Sequence, residues 1–173
     1  LMLLIAMWIP PLAMQHAEMA RFNDFEITAP RGQLWTDAEL GRPLVDAIRF
    51  TTSHTQPGDY VLSLPQGSIV NFLADRRNPL REDIIVPGFL TPEREADAIR
   101  RAEAKGVKLI LLSNHPTPEY RDAAFGIHYN TAFMKWIDQH YHPVATFRAS
   151  QEGPEPQFGD WTFFIRAYER NVD

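Results

Sequence analysis

Cysteine is absent from the 173-residue chain, which excludes disulfide staples, thiolate metal sites and cysteine nucleophiles. A basic cluster is missing too: 17 Lys and Arg stand against 22 Asp and Glu, for a net charge of −5, and the cations are scattered. A nucleic-acid surface needs them gathered on one face, so no nucleic-acid partner is expected. No G-x-G-x-x-G, P-loop, H-E-x-x-H, EF-hand or nucleophile-elbow pattern occurs, and the chemistries tied to those motifs have nothing to rest on. The apolar opening LMLLIAMWIPPLAM, Leu1 to Met14, falls short of the roughly 20 residues that span a bilayer.

What is present suits one globular domain. Hydrophobic residues make up 45% and charged residues 23%, enough of each for a buried core and a solvated surface. The opening run has three readings: the last turns of a truncated transmembrane helix, a core element, or an interfacial anchor. The order Trp8-Ile9-Pro10-Pro11 favours the first, because tryptophan gathers at the membrane–water interface and a double proline ends a helix. A basic leader and a small-residue cleavage site, the marks of a secretory signal, are both lacking. Residues 1–14 are thus expected to end a membrane helix, 15–41 to form a connector with Trp35 on a loop, and 42–173 to form an α/β domain. The connector carboxylates Asp24, Glu26, Asp37 and Glu39 read as solvated rather than catalytic.

Periodicity and punctuation place the elements. A helix is expected from Arg42 to about His54, with Pro43 in its first turn, and a buried strand at Tyr60–Leu64. Pro65-Gln66-Gly67-Ser68 turns the chain, with Ser68 as N-cap of a short helix Ile69–Ala74. Asp83–Val86 reads as a short strand or extended segment. Thr91-Pro92-Glu93 opens a helix that stops at Lys105-Gly106, and Val107–Asn114 follows as a strand. Asn130–His140 reads as an amphipathic helix whose aromatics pack into the core rather than forming a sugar-stacking platform. Val144–Phe147 and Trp161–Tyr168 close the chain as strands. The expected fold is a small three-layer Rossmann-like α/β domain, its sheet mainly parallel with an antiparallel C-terminal edge hairpin.

Three groups are candidate binding residues. Asn114 and His115 end a strand, where ligands gather in open α/β sheets, although Asn and Pro also make ordinary turns. Arg76, Arg77 and Asn78 form a polar knot able to hold an anionic or sugar-phosphate group. The favoured alternative is a latch, with an arginine paired to Asp75, Glu82 or Asp83 and Asn78-Pro79 making a turn. His140 and His142 have H-x-H spacing, but a metal site needs a third ligand, so no metal or cofactor is expected.

Pro57-Gly58-Asp59-x-Val61-Leu62-x-Leu64-Pro65, then Asn71-Phe72-Leu73 and Arg76-Arg77-Asn78-Pro79, form a familiar succession. Val107–Ser113, Glu119-Tyr120, Phe125-Gly126-x-x-Tyr129-Asn130 and Trp136-Ile137 continue it. Over about Arg42 to Arg170 the chain resembles the C-terminal extracytoplasmic domain of bacterial polytopic glycosyltransferases of the dolichyl-phosphate-mannose–protein mannosyltransferase type. The resemblance implies a cell-membrane protein with this domain on the outer, periplasmic side, transferring a sugar from a polyprenyl-phosphate donor to an acceptor. It implies a catalytic acid in an early loop of the membrane part, so no catalytic residue carries over and the chain alone should be inactive. The implied partners are that membrane part and the lipid-linked sugar or acceptor. The alternative is an independent soluble α/β ligand-binding or enzyme domain with its pocket at the sheet's carboxyl edge, formed by Asn114, His115 and the Arg76–Asn78 knot.

Overall fold

The computed structural model describes residues 22–115 and 117–171, so the expected membrane-helix end at 1–14 lies outside the described residues. Among the described residues no helix is long and apolar enough to cross a membrane.

The described part of the expected connector, residues 22–41, is structured. Strands β1 (Phe25–Ala29) and β2 (Gly32–Thr36) form an antiparallel hairpin, which puts Trp35 on a strand rather than a loop. Helix α1 (Ala38–His54) then starts four residues before the expected Arg42. Its start is set by Asp37, whose Oδ1 accepts from the Glu39 and Leu40 amides at 2.9 and 3.0 Å. Pro43 consequently lies inside the helix, beyond its first turn. Gly41 is required where it stands, since a Cβ there would collide with the Phe25 ring.

The main sheet has the order β3 (Val61–Leu64), β4 (Leu109–Asn114), β6 (Phe164–Arg170), β5 (Tyr141–Arg148). Strands β3 and β4 are parallel from Val61↔Leu109 to Leu64↔Leu112, as the helix–strand succession predicts. The β4–β6 and β6–β5 pairings are antiparallel, which corrects the expectation of a mainly parallel sheet. The physical reason is connectivity. A parallel neighbour needs a helical crossover, which the β3-to-β4 passage through α2 (Ser68–Leu73) and α3 (Pro92–Ala104) supplies, whereas β6 follows β5 with no helix between them and runs against both of its neighbours. After β4 the chain reaches β5 through α4 (Thr131–His140), then folds back so that β6 inserts between β5 and β4.

Two local expectations also change. Gly67, not Ser68, precedes α2, and no side chain caps that end. Asp83–Val86 is not a strand: it makes a single bridge, Ile84 opposite Gln66, while the Ile85 amide donates to Pro65 O at 2.9 Å. Together with the Val61–Arg77 and Arg77–Asp59 backbone bonds at 3.0 and 2.8 Å, this segment covers the outer edge of β3.

The sheet is buried on both faces. Leu62, Leu64, Ile110 and Leu112 pack with Ala98, Ala102, Phe133 and Ile137 from α3 and α4. Their alternates Val61, Leu109, Leu111, Ile165 and Ala167 pack with Ile27 of β1, Ala47 and Ile48 of α1, and Val70 and Leu73 of α2. Every residue of β4 is buried, which explains its unbroken apolar run. Thr91 and Pro92 start α3 as expected, with Thr91 Oγ1 accepting from the Arg94 amide.

The aromatic run belongs to the core, as read from its spacing. Phe133, Trp136 and Tyr141 are buried, and the polar ends find partners. Trp136 Nε1 donates to Glu103 at 2.9 Å and the Tyr141 hydroxyl to Val107 O at 2.9 Å. The buried Glu95 carboxylate accepts from the Phe133 amide at 2.8 Å, fixing the start of α4 from the neighbouring α3.

Burial pushes the Tyr129 and Tyr141 phenols up from 10.0 to about 12. The folded chain therefore holds these protons while the unfolded chain releases them near pH 10. Their contribution is fully present below pH 10 and is lost as pH rises toward about 12. Urea unfolding followed across that window should show the midpoint falling, with a shallower fall in Tyr141→Phe; equal slopes would contradict this.

Candidate functional site

The polar knot resolves into three side chains with different work. Arg76 is only 8% exposed, and its guanidinium is spent on the backbone. Nη2 donates to Thr52 O and Thr55 O, Nη1 to Ala74 O and Asp75 O, and Nε to the Thr55 hydroxyl. Thr52 and Thr55 close α1, and Ala74 closes α2, so the cation sits where two helices leave carbonyls without intrahelical donors. The latch expectation holds in kind but not in partner. Asp75 pairs instead with Arg31 at 3.3 Å, and Glu82 with Arg101 at 3.0 Å and Arg94 at 3.6 Å.

Asn78 makes the expected turn. Its Oδ1 accepts from the Leu80 amide at 3.0 Å, and its Nδ2 donates to Glu82 O at 3.2 Å and Asp83 Oδ1 at 3.3 Å. The Arg77 backbone bonds to Asp59 and to Val61 of β3, while its exposed side chain passes Gly58. An unforeseen partner completes the knot. Buried Asn71 donates to Val61 O at 2.7 Å and Arg77 O at 3.4 Å, stitching α2 to the start of β3.

The five candidate binding residues do not meet. Arg76, Arg77 and Asn78 lie at the amino end of β3, whereas Asn114 and His115 lie at the carboxyl end of β4. Because β3 and β4 are parallel and β4 has six residues, the two groups stand at opposite edges of the sheet, roughly 20 Å apart. A single pocket formed by both is corrected on that ground.

At the amino edge, a cleft of about 810 Å³ is lined by His54, Asp59, Tyr60, Lys105, Lys108 and Arg170 among others. A hydrogen bond from Arg77, then one from Lys105 and the Lys105 charge, hold the Tyr60 phenol below its usual range. Lys105 Nζ stands 5.0 Å from the Tyr60 ring centroid. The C-terminal ends of α1 and α3 open onto the same cleft, and their negative dipole ends offset these cations.

At the carboxyl edge, Asn114 is 6% exposed and its amide is fully engaged. Oδ1 accepts from the Gly159 amide at 3.0 Å, and Nδ2 donates to Asp160 O at 2.6 Å and Thr162 O at 3.1 Å. Asn114 is therefore a clamp on the β5–β6 loop. His115 is exposed, meets Phe163 edge to face at 6.2 Å, and lines a cleft of about 780 Å³ with Glu39, Glu152, Glu155, Asp160 and Trp161. Trp161, read from sequence as the start of a strand, lies three residues before β6 and is 68% exposed. The turn pair Gly159-Asp160 just ahead of it was the available signal.

The H-x-H pair shares no element: His140 ends α4 and bonds Trp136 O at 2.8 Å, while His142 on β5 bonds Asn171 at 3.0 Å. Among the described residues no three His, Asp or Glu side chains are grouped to hold a metal ion. No protein-family model, curated protein or solved structure matches the chain.

Arg76→Ala strips donors from several buried carbonyls and should cost about 3 kcal/mol in urea unfolding. Arg76→Lys should recover less than half of that, since an ammonium cannot span the same acceptors. Arg77→Ala, at an exposed side chain, should stay within about 0.5 kcal/mol of wild type. Equal losses for Arg76→Ala and Arg77→Ala would contradict the assignment.

Proposed function

We propose that this chain is an accessory extracytoplasmic domain of a membrane glycosyltransferase of the dolichyl-phosphate-mannose–protein mannosyltransferase type. In this reading it stands outside the cell membrane, beside a membrane part of the same polypeptide that moves sugar from a polyprenyl-phosphate donor. The chemistry lies in that membrane part, and the domain covers the site or helps select the acceptor.

The observation that carries the reading is the use made of the residues behind the resemblance. Asn71, Arg76 and Asn78 each spend their polar groups on the first β-α unit and its following turn. Residues spent on building the domain fit a reading in which the domain is accessory and the reaction lies elsewhere. The finer fold reading belongs here too: helices on both faces and helical crossovers from β3 to β4 and from β4 to β5 fit a reduced three-layer, Rossmann-like domain. The carboxyl-edge cleft favours a second reading, an independent soluble α/β ligand-binding or enzyme domain.

Sequencing the gene upstream of Leu1 and assaying its full product in membranes tests the proposal. Several hydrophobic spans are expected, with sugar transfer from a polyprenyl-phosphate donor by the full product and none by the 173-residue chain. A start codon directly before Leu1, or turnover by the chain alone, would sink it.

A further inference from the structure

We propose that the carboxyl-edge cleft is a saccharide subsite, with the Trp161 indole as the surface on which an uncharged pyranose ring stacks. The inference supplies a ligand class for the accessory domain and, as a contribution to sugar transfer, rests on the proposed function. Its physical evidence is separate.

The chain fixes the backbone that carries an exposed indole. Trp136, by comparison, is buried in the core with its Nε1 bonded to Glu103. Trp161 is 68% exposed, yet the buried Asn114 amide holds the backbone on both sides of it, at residues 159, 160 and 162. Two further braces fasten the same loop. Arg148 donates to Pro154 O at 2.6 Å and Gln151 O at 3.0 Å, and Arg166 donates to Pro156 O at 2.8 Å. A loop tip of ordinary surface character needs no buried amide to hold it. A rigid aromatic platform does, because ordering it in advance removes that cost from binding.

The lining chemistry fits a pyranose. One face of such a ring is a layer of C–H groups that lies on an aromatic plane, and its rim is hydroxyls that need donors and acceptors. Around Trp161 stand His115, Glu39 and Glu152, whose side chains make no hydrogen bond to another described residue. The Asp160 carboxylate uses one oxygen, Oδ2, to accept from the Gln157 amide at 2.7 Å. The cleft's charge decides between ligand classes: Asp37, Glu39, Glu152 and Asp160 outnumber Arg148, while Glu155 is paired with Arg166 at 3.3 Å. That excess repels a sugar phosphate or an anionic membrane surface and leaves an uncharged sugar favoured. A volume of about 780 Å³ is room for a short oligosaccharide.

The test uses the full 173-residue chain in a sugar-free zwitterionic detergent, probed by saturation-transfer NMR with methyl α-D-mannopyranoside and maltotriose. Saturation of ring protons is expected for at least one probe. Trp161→Ala should weaken binding about tenfold, with Trp161→Phe intermediate and unfolding midpoints unchanged for both. No transfer to either sugar, or transfer undiminished in Trp161→Ala, would overturn the subsite. Binding to phosphatidylglycerol vesicles that vanishes in Trp161→Ala, without sugar binding, would make the indole a membrane anchor and also overturn it. Saccharide binding by a chain whose gene encodes no membrane part would retain the subsite and remove the transferase reading alone.

Discussion

The Arg76 guanidinium, buried between the ends of α1 and α2, is the contact on which the amino edge of this domain depends. A charge this far from water is tolerated because its five N–H donors all have acceptors, with the helix-end dipoles adding to the attraction. Its partners come from segments on either side of β3, so the clamp joins the helix before that strand to the helix after it. Asn71 reaches from the second helix to the first residue of the strand, and the Arg77 backbone pairs alongside. Removing the cation would leave the orphaned helix-end carbonyls facing one another in a poorly hydrated space.

The two edges of the sheet then divide the work. The amino edge spends its polar residues Asn71, Arg76 and Asn78 on construction. At the carboxyl edge, Asn114 performs a similar service for the β5–β6 loop but with a different outcome. Arg76 buries what it binds, whereas Asn114 holds an indole out in solvent beside His115. A clamp that presents a side chain rather than hiding one is the feature that separates a candidate site from scaffold. The amino-edge cleft lacks that separation, since its cations answer helix ends and a tyrosine within the fold.

Much of the architecture was legible where local chemistry decides it. Thr91-Pro92 announced α3, the Tyr60–Leu64 and Val107–Asn114 runs announced buried strands, and the spacing of Phe133, Trp136 and Ile137 announced a core face. What escaped depends on partners distant in sequence. The insertion of β6 between β4 and β5 is a tertiary choice that no strand pattern encodes. Arg76 was read against nearby carboxylates because side-chain partners are visible in a sequence, whereas backbone carbonyls are not. Asp37 was overlooked as a cap because polar neighbours disguised it as connector, and they disguised the β1–β2 hairpin likewise. Asn114 stands out in the sequence for a ligand, whereas its partners in the fold lie some 45 residues on, at Gly159 and Asp160.

Native-state hydrogen exchange over a series of sub-denaturing urea concentrations tests the central claim, that one guanidinium fastens the amino edge as a single unit. The Thr55, Ala74, Arg77 and Val61 amides all donate to backbone carbonyls around the clamp. They should exchange through a common opening, with one free energy and one urea dependence. Exchange of Ala74 and Arg77 through separate, much cheaper openings while Thr55 stays protected would contradict it.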